Sequence, residues 1–347
     1  MQTSPPFLAF AASDRPLTVH HAGDRLRVAG AGEALLHAVV APGRPPRLAA
    51  VEIAAAPEAA LAAVAAALEA LTASETVERV VLEGDAIASL APALHAAGLA
   101  LPDAAGGLTA HAAMAWQRPE PWLGRREAPF PALAALSGGR RHPVRAPKPA
   151  GVVYTRWIPW LAAPLSFRVA HPEADLDRLH AWMNDPRVAA VWDEAGDAQK
   201  HRRYLETLTA DPHVLPLVGS IGGEPFGWFE VYWAKENRIA PFCEAGDHDR
   251  GWHVLIGEER FRGRAHVSAW LPSLMHAIFL DDPRTVRIVG EPRADHARQL
   301  RNLERSGFAR IATFDFPHKR AALVSLGRER FFGDRLWVPG AATEAVS

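Results

Sequence analysis

Cysteine is nearly absent: Cys243 is the single one in 347 residues, so neither an intramolecular disulfide nor a cysteine-built zinc site can form. A reducing, cytoplasmic setting is the expectation. Lysine is scarce too, with four (Lys148, Lys200, Lys235, Lys319) against 34 arginines, which together with the heavy alanine usage reads as coding bias rather than chemistry. There is no excess of either charge: 38 basic and 39 acidic residues leave a formal net charge of −1. That balance argues against a nucleic-acid backbone or an anionic membrane as the main partner, since both call for a basic excess. No run of about 18 apolar residues could span a bilayer. The nearest, Ala54 to Leu71, carries Glu58 and Glu69 and reads as a soluble helix. Met1 to Ser13 has no basic region ahead of an apolar stretch and reads as neither signal peptide nor anchor.

With 49% hydrophobic residues the chain is built to bury cores, and its length suggests two domains. Between Arg118 and Pro149 frequent proline, a Gly-Gly pair and clustered arginine prevent any sustained helical or strand period. The expected organisation is an α/β domain over 1–117, a Pro/Arg-rich linker over 118–150 and a second domain over 151–347. In the first, Leu61, Val64, Leu68 and Leu71 fall at helical spacing after Pro57. Val77 to Leu82 reads as a strand, Ile87 to Ala97 as a helix closed by Gly98, and Leu108 to Trp116 as a strand. Only His95 and His111 stand out there, with no acidic or nucleophilic neighbour in sequence.

The second half holds the chemistry. Phe167 to Val169 opens a strand, and Leu176 to Met183 is helical up to Asn184-Asp185-Pro186. GWFEVYW (227–233) and GWHVLI (251–256) are strands rich in aromatic and β-branched residues. His266 to Leu280 is helical, with Pro272 expected to kink it or shift its first turn. Val286 to Gly290 is a strand, Ala297 to Arg305 a helix closed by Ser306-Gly307, and Arg320 to Leu326 a last strand. Between strand 251–256 and helix 266–280 lies Arg260-Phe261-Arg262-Gly263-Arg264-Ala265. Small residues at Gly263 and Ala265 admit an anion close to backbone N–H groups, and the helix that follows adds the positive end of its dipole. The loop lacks the Gly-Lys-Ser/Thr ending of nucleotide hydrolases. Its Arg-x-x-Gly-x-Ala form resembles the acyl-CoA loop of the GNAT acyltransferases.

The resemblance extends well beyond that loop. HAWMNDPRVAAVW (180–192), GWFEVYWAKE (227–236), DRGWHVLIGE (249–258), FRGRAHVSAWLPSLMHAIFLDDPRT (261–285), RIVGEPRADHARQLRNLERSGF (287–308) and FDFPHKRAALV (314–324) resemble the siderophore-biosynthesis branch of that superfamily. This branch holds the N6-hydroxylysine acetyltransferases and related hydroxyornithine and hydroxydiamine acyltransferases. The resemblance covers 167–332 and implies a GNAT fold, α/β (α+β), with a central mixed sheet flanked by helices. The first half matches no named motif, and its α/β pattern is compatible with a degenerate GNAT-like N-terminal domain that shapes or covers the acceptor site.

The same resemblance implies roles. His253 corresponds to the catalytic base and Asp295 to the carboxylate that assists it or holds the acceptor. A backbone N–H at Val254 or Leu255 would meet the oxyanion, and Arg260, Arg262, Gly263, Arg264 and Ala265 the phosphates of the coenzyme. The helix positions that in many relatives carry Asn and Tyr hold His296, placed at the cofactor, and Leu303, so a tyrosine acid for the departing thiolate is not supported. Asn184, Arg187 and Trp192, with Glu230, Trp233 and Lys235, fall near the acceptor. A carboxylate there suits a cationic amine, and an arginine suits an amino-acid carboxylate. The implied reaction is direct acyl transfer from acetyl-CoA, succinyl-CoA or another acyl-CoA to a small N-hydroxyamine, with no permanently bound cofactor. Neither nucleic acid nor membrane is an expected partner, and the expected state is monomer or homodimer. Amine acetyltransferases of the aminoglycoside type and a non-catalytic acyl-CoA-binding scaffold are the alternatives. No metal is expected, because Cys243, His248 and His253 lack ligand spacing and no HExxH occurs. The absence of Gly-x-Ser-x-Gly argues against a serine nucleophile.

Overall fold

The computed structural model describes residues 6–74, 77–104, 106–124 and 128–339. They fall into two compact units, one within 1–126, 155–164 and 330–347, the other within 127–154 and 165–329.

The first unit is built on strands β1 (Phe7–Ala9), β2 (Leu17–Ala22), β3 (Arg25–Gly30), β4 (Glu33–Ala41), β5 (Arg47–Ile53), β6 (Arg79–Glu83), β7 (Leu101–Pro102) and β8 (Leu108–His111), in the order β1-β2-β3-β4-β5-β6-β8-β7. Every reported pairing is antiparallel except β5 with β6, because the chain crosses between those two through helix α1 (Pro57–Thr72). Ala63, Ala66 and Ala67 of α1 are fully buried beside Val64 and Leu68, and small side chains let the helix lie close on the sheet. Helix α2 (Asp85–Ala96) follows β6, and Gly98 turns the chain out of it at φ +67°. The expected strand 108–116 stops at His111: Ala112–Ala115, four good helix formers, make the short helix α3. Helix α4 (Glu120–Leu123) brings Trp122 to stack on Trp116 at 4.6 Å, and Trp337 stacks on Trp116 at 4.7 Å. The C-terminal residues to 339 therefore pack with the first unit, although they stand at the end of the second half in sequence.

Residues 128–150 are ordered rather than a bare connector. Strands β9 (Ala134–Ser137) and β10 (Arg140–Pro143) form a hairpin whose turn, Gly138 and Gly139, has φ +55° and +75°. Two successive left-handed residues are what such a tight turn demands, and glycine supplies them without strain.

The second sheet comprises β11 (Val152–Ile158), β12 (Ala163–Val169), β13 (Val214–Ile221), β14 (Glu224–Trp233), β15 (Arg250–Ile256), β16 (Arg287–Gly290), β17 (Ala309–Phe316) and β18 (Lys319–Gly327), ordered β11-β12-β13-β14-β15-β16-β18-β17. This is the strand order of the first sheet, again with one parallel pair, β15 with β16. Helices α5 (Pro172–Met183), α6 (Pro186–Trp192) and α7 (Ala198–Ala210) stand between β12 and β13. The short α8 (Ala240–Cys243) follows β14, α9 (Arg264–Asp281) links β15 to β16, α10 (Ala297–Arg305) follows β16, and α11 (Arg328–Gly333) follows β18. Pro272 sits inside a continuous α9 and does not end it, contrary to the expected interruption. Among the described residues no helix is long and apolar enough to cross a membrane.

Candidate active site

The site begins where two strands part. β15 pairs with β14 along its whole length, with His253 opposite Glu230, but with β16 only at Arg250 and Gly251. Beyond Gly251 one edge of β15 is open. The Ala234 N–H donates to the Asp249 carbonyl at 2.8 Å and the Gly257 N–H to the Phe226 carbonyl at 3.0 Å, which fixes the phase of the β14–β15 ladder. By the alternation of an antiparallel pair, the Leu255 amide is turned to β14 and the Val254 amide to the opening. The Val254 carbonyl, on the same edge, accepts a bond from the Trp192 indole at 3.2 Å. Of the two amides expected to meet an oxyanion, Val254 is thus the one that faces the gap.

His253 lies between two carboxylates. Its Nδ1 is 2.9 Å from Glu230 Oε2 and its Nε2 2.9 Å from Glu291 Oε1. The imidazole keeps 27% of its surface exposed, whereas the two carboxylates keep 7% and 1%, so the ring is the member of the trio open to a ligand. Each carboxylate is further held by donors. Glu230 Oε1 accepts from the Trp228 indole at 3.0 Å and from the Tyr204 hydroxyl, and Glu291 Oε2 accepts from the Tyr232 hydroxyl at 2.9 Å. Burial works against the imidazolium, but Glu291 and Glu230 outweigh it and raise the His253 pKa to about 9. Reciprocally, and against its own burial, Glu291 is pulled down to about 2 by His253 and Lys319. Glu230 is lowered chiefly by His253, again against burial. At neutral pH the arrangement is carboxylate, imidazolium, carboxylate.

Trp192, Glu230, Trp233, His253, Val254 and His296 all line one cleft of about 960 Å³, which opens along the parted strands. Asp295 does not reach His253. Its carboxylate pairs with Arg293 two residues away at 2.9 Å and stays 70% exposed, so the partner expected for the imidazole is replaced by Glu230 and Glu291. Nor does Asp295 cap α10; the His296 ring does so, accepting from the Gln299 N–H at 3.0 Å. Asn184, Arg187 and Lys235 are likewise absent from the cleft, because each has a partner outside it. Asn184 exchanges two bonds with Gly196, Arg187 grips Asp185 through Nε and Nη2, and Lys235 pairs with Asp247 at 3.3 Å. Glu291, which directly follows β16, was not foreseen; its one signal is its place just after the strand that leaves β15.

The phosphate-type loop has the expected form. Gly263 sits at φ +100° and ψ 173°, a conformation open essentially to glycine alone, and α9 begins at the next residue. Arg262, Arg264 and Ala265 are exposed in and beside the first turn, while Arg260 is paired with Glu224. Among the described residues one group could hold a metal ion, His142, His213 and Glu236. There Arg145 already engages both Glu236 oxygens, at 2.6 and 2.8 Å, and its charge opposes a cation. Cys243 and His248 do not join His253: the thiol faces the Ala240 carbonyl and His248 approaches Asp282.

Residues 171–316 match the family model of the acetyltransferase (GNAT) domain, and this part of the chain is a GNAT acetyltransferase domain. The chain is 43% identical over 190 residues to the N(6)-hydroxylysine O-acetyltransferase of Escherichia coli, a match covering 55% of this chain and 60% of that protein. It is 44% identical over 209 residues to an N(5)-hydroxyornithine:cis-anhydromevalonyl coenzyme A-N(5)-transacylase of Beauveria bassiana, covering 59% and 46%. The chain thus spans about half the length of these relatives. A crystal structure of an uncharacterized protein from Bacillus halodurans superposes with a TM-score of 0.51 at 27% identity, covering 56% of this chain and 97% of that one.

Proposed function

We propose that this protein is an acyl-CoA-dependent N-acyltransferase that converts an N-hydroxylated amine, such as N6-hydroxylysine, hydroxyornithine or a hydroxydiamine, into a hydroxamate for an iron chelator. The observation that carries the reading is the Glu230–His253–Glu291 trio at the mouth of the opening beside β15. The names of the two relatives support the substrate class. The two substrates meet in a ternary complex, and acetyl-CoA is the first donor to test.

In this scheme Gly263 and the first turn of α9, with Arg262 and Arg264, hold the coenzyme phosphates. The thioester lies along the open edge of β15, its carbonyl oxygen toward the Val254 N–H, which stabilises the charge that develops in the tetrahedral intermediate. The hydroxylamine nitrogen attacks the carbonyl carbon through its lone pair, the C–S bond breaks and the coenzyme leaves as thiolate. The nitrogen must shed a proton as the C–N bond forms. His253, the member of the trio open to the acceptor, takes that proton in the form in which the imidazole is neutral, a form that grows as pH rises toward about 9, and the trio then holds carboxylate, imidazolium and carboxylate. Trp192 and Trp233 wall the acceptor side. The single thiol, buried at Cys243, suits a reducing, cytoplasmic setting.

The test is release of free thiol from acetyl-CoA or succinyl-CoA with N6-hydroxylysine, hydroxyornithine, hydroxycadaverine and lysine in turn, with the product scored for ferric-hydroxamate colour. Thiol release with that colour supports N-acylation. Thiol release without it points to O-acylation, and turnover of lysine alone to an ordinary amine acetyltransferase; either refutes the reading.

A further inference from the structure

Three basic side chains that line the cleft, from two distant parts of the chain, gather on the ring of the buried Phe316. The Arg238 guanidinium lies 5.1 Å and the Lys319 ammonium 5.6 Å from the centre of Phe316, and the His318 ring stacks on the same phenyl at 5.5 Å. Arg238 comes from the loop after β14, His318 from the turn between β17 and β18 and Lys319 from the first position of β18, and all three line the cleft beside Glu291. Their charge is poorly matched. Arg238 Nη2 is 3.6 Å from Glu291 Oε1, an oxygen already engaged by His253 Nε2. Lys319 donates to the Glu291 main-chain carbonyl at 2.7 Å, and among the described residues no carboxylate lies within ion-pair distance of it. Burial, and then the positive charge of Arg238 and Arg293, holds the Lys319 ammonium below its ordinary pKa, with Glu291 acting the other way. Glu291 thus answers His253 and Arg238 within ion-pair distance and Lys319 at longer range, and even with Glu230 counted three positive groups face two carboxylates.

We propose that Arg238, His318 and Lys319 form a carboxylate-binding wall of the acceptor cleft, which selects a reactant carrying a carboxylate remote from the reacting nitrogen or thioester. This inference rests on the acyl transfer proposed above and names the substrate feature that the site reads. A guanidinium and an ammonium on one aromatic platform offer a planar fork and a point charge to a single carboxylate. The group has two sources: the α-carboxylate of an N-hydroxylated amino acid, or the far carboxylate of a dicarboxylic acyl chain on the donor. Arg187, which the family resemblance implies near the acceptor, is committed to Asp185 and leaves this task to Arg238.

The experiment compares the wild type with Lys319→Met, Arg238→Gln and Lys319→Arg. The acceptor arm uses acetyl-CoA with N6-hydroxylysine against hydroxycadaverine, which lacks the carboxylate; the donor arm uses hydroxycadaverine with acetyl-CoA against succinyl-CoA. Loss of a charge-assisted contact should raise KM for the carboxylate-bearing reactant by about tenfold or more in the Met and Gln variants. Because both side chains stand beside Glu291, a common change in turnover is set aside: the ratio of kcat/KM between the carboxylate-bearing and the carboxylate-free reactant should fall about tenfold or more, and Lys319→Arg should restore most of that ratio. A selective rise in the acceptor arm assigns the wall to the amino acid, and a selective rise in the donor arm assigns it to the acyl chain. Equal losses in all arms, or none, overturn the wall while leaving acyl transfer intact. Calorimetric titration of N6-hydroxylysine and succinyl-CoA decides the matter independently of turnover: a wild type that binds neither more tightly than Lys319→Met has no such wall.

Discussion

Replacing Glu291 by Gln keeps the shape of the side chain and removes one of the two charges that hold His253 protonated. In the wild type the imidazole rises from its ordinary 6.5 to about 9 although burial opposes it, and the Glu291 charge is the largest of the raising influences. The span corresponds to an interaction on the order of 3 kcal/mol, shared between Glu291 and Glu230. Seen from its partner, Glu291 falls from 4.5 to about 2, drawn down by His253 and then Lys319 against its own burial. Glu291→Gln should therefore lower the His253 midpoint by roughly one to two pH units. The measurement is a pH titration of ring-labelled histidine by NMR, with His253 assigned among the 16 histidines from the spectrum of His253→Gln. Stability follows with a definite sign. A raised histidine stabilises the fold fully below about 6.5 and ceases to do so as pH rises through about 9, and a lowered Glu291 stabilises it above about 4.5 and ceases to do so as pH falls through about 2. The gap in unfolding free energy between wild type and Glu291→Gln should be widest between pH 4.5 and 6.5 and should close toward alkaline pH. A midpoint that stays near 9 in the variant would refute the trio as the source of the shift.

Other perturbations test neighbouring links. His253→Ala should lower turnover by about two to four orders of magnitude if the imidazole takes part in the proton transfer, measured as thiol release at saturating acyl-CoA. Asp295→Ala should leave the His253 midpoint within about half a pH unit of the wild type, because that carboxylate is exposed and paired with Arg293. Gly257→Ala would set a methyl 2.2 Å from the Trp182 ring, where β15 runs out toward the loop at Gly263. It should cost about 1–3 kcal/mol by chemical denaturation, and an unchanged midpoint of unfolding would show that Trp182 moves freely.

How far the sequence spoke for the structure depends on where each signal was written. β14 and β15 were legible because their own aromatic and β-branched residues declare an extended, half-buried strand. The helix 297–305 matches the expected bounds, since Ser306-Gly307 ends it locally, with Gly307 at φ +90°. The loop at Gly263 was legible for the same reason: a backbone state that only glycine adopts leaves its mark at one position. Strands β1 to β5 were not read, because alternation in an alanine-rich meander is faint when buried and exposed positions alike carry alanine. The hairpin of β9 and β10 was hidden by proline and arginine, although Gly138-Gly139 was its turn signal. The site divides in the same way. His253 stood within a strand and could be singled out, whereas the carboxylate that meets it from the far side depends on β15 and β16 pairing at two residues and then parting. The family resemblance pointed to Asp295; the register of the sheet puts Glu291 beside His253.

The two sheets together show what the fold alone supplies. Both run in the same strand order with one parallel pair, so both bring a helix between the fifth and sixth strands onto the sheet. In the first half that crossover reads Ala54-Ala55-Ala56-Pro57, and proline at the start of α1 withdraws one of the N–H groups an anion would need. In the second half the crossover carries Gly263 and three arginines. The second half also inserts α5, α6 and α7 where the first has a direct β2–β3 hairpin, and those helices bring Tyr204 to Glu230 and Trp192 to Val254. A sheet that parts beside its fifth strand is an opening, not a catalyst. What distinguishes the second sheet is the lining of its opening, where Glu230 and Glu291 are placed around His253.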